Sequence, residues 1–207
     1  MKNRNSITAF IQNYDHEFDN QIDWLEIHLF EMRNEVLKIE RSIFLIGIID
    51  KEWGNRVENN NYSLNRITLF ESLIDKVIMG LSKILKGNRE YSLLKTINVI
   101  SQMDEFKNNS AVKKIANETQ LFIENSELSN TVIMFRDKFF GHLDKECVIS
   151  DLRLSPTLFV NEIQKFDLED IKSTIIELYK VCFDKEIDFY SDQNFNEKDF
   201  LDTFFSL

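Results

Sequence analysis

The feature that most constrains this chain is a long apolar pattern between residues 22 and 46. Apolar side chains recur there at alternating steps of three and four residues: Ile22, Leu25, Leu29, Met32, Val36, Ile39, Ile43 and Ile46. That spacing places them on one face of an α-helix, and a face of this length is typical of a helix packed in a bundle. A free coiled coil is the weaker alternative, because Trp24, Phe30, Phe44 and Leu45 widen the apolar face beyond a two-stranded seam.

The same spacing predicts further helices, separated by glycine, asparagine and serine. The predicted limits are Ser63 to Gly87-Asn88, Ser92 to Phe106, Ala111 to about Glu124, a fifth helix capped by Ser126 or Ser129, and a last one capped by Asp167. The residues expected to point inward from the third and fifth of these are Leu94, Ile97, Met103 and Phe106, and Val132, Phe135, Phe139 and Leu143. Only residues 146–165, around Pro156, show no regular spacing of apolar side chains.

Composition supports an all-α fold. One proline and five glycines in 207 residues are too few for a turn-rich sandwich or barrel. We expect a single all-α domain over 1–207, with a long N-terminal helical region at 1–62, a core at 63–190 and a phenylalanine-rich tail at 191–207. The tail carries Phe195, Phe200, Leu201, Phe204, Phe205 and Leu207, so we expect it either to dock on the bundle or to cover a partner.

Charge and targeting signals narrow the function classes. A net charge of −10 makes a large basic surface for duplex DNA improbable, but leaves room for a small local nucleic-acid site. The opening Met1-Lys2-Asn3-Arg4 does not resemble a signal peptide, and no apolar run reaches membrane-spanning length. Cys147 and Cys182 lack metal-site spacing and suit free thiols in a reducing compartment. We therefore expect a cytoplasmic protein that does not contact a membrane.

One segment near the middle of the fifth helix has the residue types for chemistry. It reads Met134-Phe135-Arg136-Asp137-Lys138-Phe139-Phe140-Gly141-His142-Leu143-Asp144-Lys145. It combines an always-charged guanidinium, an imidazole that titrates near neutrality and two carboxylates. On one straight helix Arg136 and His142 would lie roughly 120° apart around the axis and about 9 Å apart along it. Either a bend at Gly141 or a second copy of the chain would have to bring such groups together.

The other histidines, His16 and His28, lie twelve residues apart among ordinary charged neighbours. Metal ligands on one helix would be three or four residues apart, so we expect both to be surface or rim residues. Motifs for nucleotide cradles and the hydrolase elbow are missing from the sequence. A structural reading of the 134–145 segment also stays open, because histidine and lysine after a helix-ending glycine suit the helix dipole.

The segment from Arg136 to His142 resembles the motif of the HEPN superfamily, in which an arginine and a polar residue precede a histidine at this spacing. The longer string through Asp144 and Lys145 looks most like the abortive-infection (AbiU-like) branch of that superfamily. The resemblance covers about 63–190 and leaves the long N-terminal helix unexplained. It implies an antiparallel HEPN-type helical bundle and a homodimer whose two motifs face one cleft.

The resemblance further implies a metal-independent endoribonuclease that needs no cofactor and leaves a cyclic phosphate. Arg136, His142 and Asp137 would be catalytic, and Lys138, Asp144 and Lys145 would bind the substrate, RNA. The setting it implies is phage defence or a toxin–antitoxin system, with an antitoxin or another defence protein as a further partner. Two alternatives stay open: a non-catalytic HEPN-like dimeric binding module, and a helical dimer in which the same residues only join the subunits.

Overall fold

The computed structural model describes residues 21–56, 64–86, 92–136, 161–189 and 196–206, and its regular elements in these ranges are all helices. Their bounds are α1 (Gln21–Arg56), α2 (Leu64–Leu85), α3 (Leu93–Ile100), α4 (Ser110–Asn125), α5 (Glu127–Phe135), α6 (Glu169–Phe183) and α7 (Glu197–Ser206). A short helical segment also occupies 161–164. Across the described ranges, no helix combines the length and apolar character needed to cross a membrane. The expectation of an all-α chain is thus confirmed.

The predicted seam of α1 is the spine of the fold. Its 36-residue helix buries six seam residues, namely Leu25, Leu29, Met32, Val36, Ile39 and Ile46, while Ile22 and Ile43 are partly buried. The seam packs mainly on α2 and also meets α6, so α1 belongs to a bundle and not to a free coiled coil. Trp24 is buried and widens the apolar face as expected, but Phe30 and Phe44 are about half exposed.

The third helix is shorter than the sequence predicts. Ser92 caps it as expected, because its hydroxyl accepts a hydrogen bond from the Lys95 N–H at 3.3 Å. The helix ends at Ile100, and the chain continues to 108 in turns whose bonds span three or four residues. Met103 and Phe106 are nevertheless buried as predicted, whereas Leu94 is only partly buried. Met103 and Phe106 are buried together because successive turns, like a helix, bring residues three positions apart to the same side.

The start of α5 agrees with the sequence, and the start of α6 is displaced by one residue. Ser126, and not Ser129, caps α5 by accepting from the Ser129 N–H at 3.3 Å. At the start of α6, the Asp167 carboxylate accepts from the Glu169 N–H at 3.0 Å. That bond satisfies a helix N-terminal donor. The prediction that Asp167 is the N-cap is nevertheless wrong, because the helix begins at Glu169 and its N-cap is Leu168.

The apolar tail docks within its own chain. Helix α7 contacts α1, and Leu201 and Phe204 are nearly inaccessible to solvent. Of the two alternatives for the tail, docking on the bundle is therefore the one observed. Phe195 and Leu207 lie outside the described residues.

The prediction that His28 is a surface or rim residue is wrong. Its side chain is 4% exposed, stacks on Trp24 at a centroid distance of 4.8 Å, and its Nε2 lies 2.9 Å from the Thr96 hydroxyl. This bond joins α1 to α3 across the core. Burial lowers the pKa of His28 to about 4, because a charged imidazole would lose its hydration. Charged sequence neighbours misled the prediction, since they lie on other sides of α1.

Two helical glycines provide a matched test of the α1–α2 contact. A Cβ on Gly80 would lie 2.8 Å from both Cδ1 and Cγ1 of Ile39, whereas one on Gly47 would meet Gln164 at an ordinary 3.5 Å. Crowding a packed core costs about 1–3 kcal/mol, and alanine regains about 1 kcal/mol of helix propensity. We expect Gly80→Ala to lower the free energy of unfolding by about 1 kcal/mol and Gly47→Ala to raise it slightly. Urea titrations measure both; a Gly80→Ala variant as stable as the parent would contradict the close packing.

The buried imidazole predicts a specific loss of stability in acid. Below pH 6.5 the unfolded chain binds a proton at His28, but the folded chain does so only near pH 4. The stability contributed by the neutral ring is therefore present above pH 6.5 and is lost as the pH falls towards 4, by up to about 3 kcal/mol. Urea titrations at pH 7 and pH 4.5 should show a larger loss for the parent than for His28→Gln, in which the carboxylates still titrate. Equal losses of unfolding free energy in the parent and in His28→Gln would contradict the burial of the His28 ring.

Candidate functional site

Of the six predicted site residues, the structure describes Arg136. Arg136 lies at the C-terminal end of α5. The other predicted site residues, Asp137, Lys138, His142, Asp144 and Lys145, lie outside the described residues, as do Phe139 and Leu143 of the predicted apolar stripe. The geometry of the site is therefore built from Arg136 and its surroundings.

The backbone of Arg136 continues the helix. Its φ of −58° and ψ of −47° are helical, and its N–H donates to the carbonyl oxygens of Val132 and Ile133. Val132 and Phe135 are both buried, which agrees with the predicted inward face of this helix. The first residue of the motif is thus carried on an ordered helical turn that is anchored by its apolar neighbours.

The side chain of Arg136 points into the bundle. The residue is only 7% exposed, and its Nη1 donates to the hydroxyl of Ser82 at 3.4 Å. Ser82 belongs to α2 and is fully buried, so this contact joins α5 to α2. Sequence reasoning placed Arg136 on the shoulder of an apolar stripe and did not single out Ser82. The available signal was the one hydroxyl among the mostly apolar residues 77–85, where Lys83 is the other polar side chain.

A guanidinium held at this depth has a defined chemical capacity. It stays charged at any physiological pH and presents five N–H donors in a planar fork that matches the oxygens of a phosphate or carboxylate. Its charge in a poorly hydrated setting makes each hydrogen bond to an anion stronger than the same bond in water. A guanidinium is therefore a group that can bind a phosphate or carboxylate through several parallel hydrogen bonds.

The other reactive side chains among the described residues do not form a second centre. Burial raises the pKa of the Cys182 thiol to about 12, so this sulfur is a neutral thiol at pH 7 and a poor nucleophile. The Glu26 carboxylate accepts from the Tyr179 hydroxyl at 2.7 Å and from Lys185 Nζ at 2.8 Å. Both bonds lower the pKa of Glu26, and the bond from Lys185 has the larger effect. They also join α1 to α6 and to the residues just after it.

The described part of the chain has no metal-binding cluster. No cluster of three or more histidine, cysteine, aspartate or glutamate side chains there has a geometry that could hold a metal ion. The buried His28 is bonded to Thr96 in the core between α1 and α3, and it contributes to no such cluster.

Comparisons with known proteins found no relative of this chain. No protein-family model, no curated protein and no solved structure matches the chain. The resemblance of the segment from Arg136 to His142 to the HEPN motif therefore rests on the residues of the motif and on the helical setting in which Arg136 is found.

Proposed function

We propose that this chain is a metal-independent endoribonuclease with a HEPN-type bundle. The observation that carries the proposal is the position of Arg136, which begins the motif on the last turn of α5 and extends its guanidinium towards α2 in an all-helical chain. A cation held at a helix end can stabilise the negative charge that develops on a phosphate during cleavage. Six residues later the sequence has His142, whose imidazole can transfer the protons that cleavage requires.

The proposed reaction needs only these residue types. One imidazole removes the proton of a ribose 2′-hydroxyl, whose oxygen attacks the adjacent phosphorus. The bond from phosphorus to the 5′ oxygen breaks, that oxygen takes a proton, and a 2′,3′-cyclic phosphate remains. His142 serves in this proton transfer because its ordinary pKa of about 6.5 lies near the working pH. Arg136 holds the phosphate and stabilises charge on its equatorial oxygens, Asp137 orients Arg136 or an imidazole, and Lys138, Asp144 and Lys145 line the substrate strand.

The proposal includes a homodimer that acts in the cytoplasm. A straight helix would separate Arg136 from His142 by about 9 Å and roughly 120°, so two copies of the motif complete one site more readily than one copy does. The net charge of −10 restricts RNA to a local positive cleft, which favours selective cleavage over general degradation. That behaviour suits phage defence or growth arrest by a toxin that an antitoxin holds in check.

The burial of Arg136 favours a second candidate function. A guanidinium that is 7% exposed and bonded to Ser82 can serve mainly to hold α5 on α2. The chain would then be a non-catalytic HEPN-like dimeric module that binds a partner protein of a defence system. This alternative predicts that loss of Arg136 lowers stability, whereas the nuclease predicts that it abolishes RNA cleavage in a folded dimer.

The nuclease proposal is tested by incubating the purified chain with total RNA in EDTA. We expect RNA fragments that end in 2′,3′-cyclic phosphate, and we expect Arg136→Ala and His142→Ala each to lower cleavage at least 100-fold. Arg41→Ala, which removes an exposed arginine of α1, and His16→Ala serve as matched controls and should cleave like the parent.

The controls separate the two candidate functions. Intact RNA with the parent chain would contradict the nuclease, and so would equal cleavage by the parent and both active-site variants, which would indicate a contaminant. Thermal melting and sedimentation of each variant then report the structural role. A lowered melting temperature for Arg136→Ala, without any RNA cleavage by the parent, would support the binding module.

A further inference from the structure

Ser82 is the exception on the buried surface of α2. The other buried residues of this helix, among those whose side chains are described, are all apolar or glycine: Val77, Ile78, Gly80, Leu81, Ile84 and Leu85. Burying a hydroxyl costs free energy unless it is hydrogen-bonded, and an alanine would fill the same position without that cost. A serine here therefore needs a reason, and the atom found at its hydroxyl is Nη1 of Arg136.

The geometry of α2 explains why Ser82 reaches α5. Residues two apart on a helix point about 200° from each other. Gly80 faces α1, since a Cβ there would lie 2.8 Å from Ile39. Ser82 therefore points to the opposite side of α2, where α5 packs. Helix α2 is thus held between α1 and α5, the helix that ends just before Arg136, and Ser82 is its polar group on the α5 side.

The hydroxyl can set the direction of the guanidinium. An arginine side chain has about 2 kcal/mol of rotamer entropy to lose when it is fixed. A bond from Nη1 to a buried hydroxyl on a separate helix limits the rotation of the fork and relates it to the rigid α1–α2 pair. Orientation matters for phosphate chemistry, because a fork contributes most when it is already aligned with the charge that develops.

We infer that Ser82 is a positioning residue, which holds the Arg136 guanidinium in the orientation that stabilises the charge developing on the phosphate during cleavage. This inference rests on the proposed nuclease function and extends it to a residue outside the motif. Ser82 acts through Arg136 and does not touch the RNA. Its effect is therefore expected on the rate of the chemical step and not on substrate affinity.

The test compares Ser82→Ala with a matched buried serine. Ser42 is also buried in a long helix, but its hydroxyl donates to the Lys38 carbonyl of its own helix, so Ser42→Ala is the control. A labelled RNA oligonucleotide of mixed sequence is cleaved in EDTA by the parent dimer and each variant, at a temperature where all are folded by circular dichroism. We expect kcat to fall on the order of tenfold in Ser82→Ala with little change in KM, and to stay at the parent value in Ser42→Ala.

Two further readouts separate positioning from simple loss of structure. Because arginine does not titrate, Ser82→Ala should lower kcat equally across pH 5 to 8 and leave the shape of the pH profile unchanged. Ser82→Cys keeps the side-chain shape, with a slightly larger atom, but offers a weaker acceptor, so its kcat should lie between those of the parent and Ser82→Ala. If Ser82→Ala does not fold, Ser82→Cys carries the comparison.

The possible outcomes distinguish failure of the Ser82 role from failure of the nuclease function. Parent-level kcat in Ser82→Ala, with Arg136→Ala inactive, would overturn the role of Ser82 and leave the nuclease standing. Equal losses in Ser82→Ala and Ser42→Ala would also overturn it, because any buried serine would then matter as much. No cleavage by the parent would overturn the nuclease, and with it the positioning role.

Discussion

The burial of one face of α1 against α2 is the contact on which the rest of the molecule depends. Six of the eight seam residues of α1 are almost fully inaccessible, and Gly80 lets the two helices approach until Ile39 occupies the space of a side chain. Apolar burial on this scale supplies the main favourable term in folding. Helices α6 and α7 also pack against α1, and α5 packs against α2. Every described helix is therefore positioned directly or indirectly by the α1–α2 pair.

Polar contacts between helices supply the specificity that apolar packing lacks. Burial is non-directional, so a seam alone tolerates sliding and rotation of neighbouring helices. In this chain His28 bonds to Thr96, Lys172 bonds to Glu40, and Arg136 bonds to Ser82, each pair joining two different helices. Where such a bond is buried, as between His28 and Thr96 and between Arg136 and Ser82, breaking it leaves an unsatisfied group, which penalises alternative arrangements. The proposed nuclease uses one of these pairs a second time, to direct a guanidinium.

Much of the helical layout could be predicted from local patterns. The seam of α1, the cap at Ser126 and the start of α4 depend on residues within a few positions of each other, and the structure agrees with all three. The third helix was predicted too long, because the spacing of Met103 and Phe106 is also compatible with successive turns. His28 was assigned to the surface because its sequence neighbours are charged, although the side of a long helix that meets solvent is decided by its packing partners.

By itself, the sequence determined that the chain is helical, where most helices begin, and that an arginine at the end of the fifth helix is followed by a histidine six positions later in the sequence. These are properties of short stretches, and helical periodicity and capping act over one or two turns. Only the tertiary structure decided that the apolar tail covers its own bundle and that Arg136 turns inward to a serine 54 positions earlier. Contacts between residues so far apart depend on how whole helices pack, and no local pattern encodes the side of one helix that another will meet.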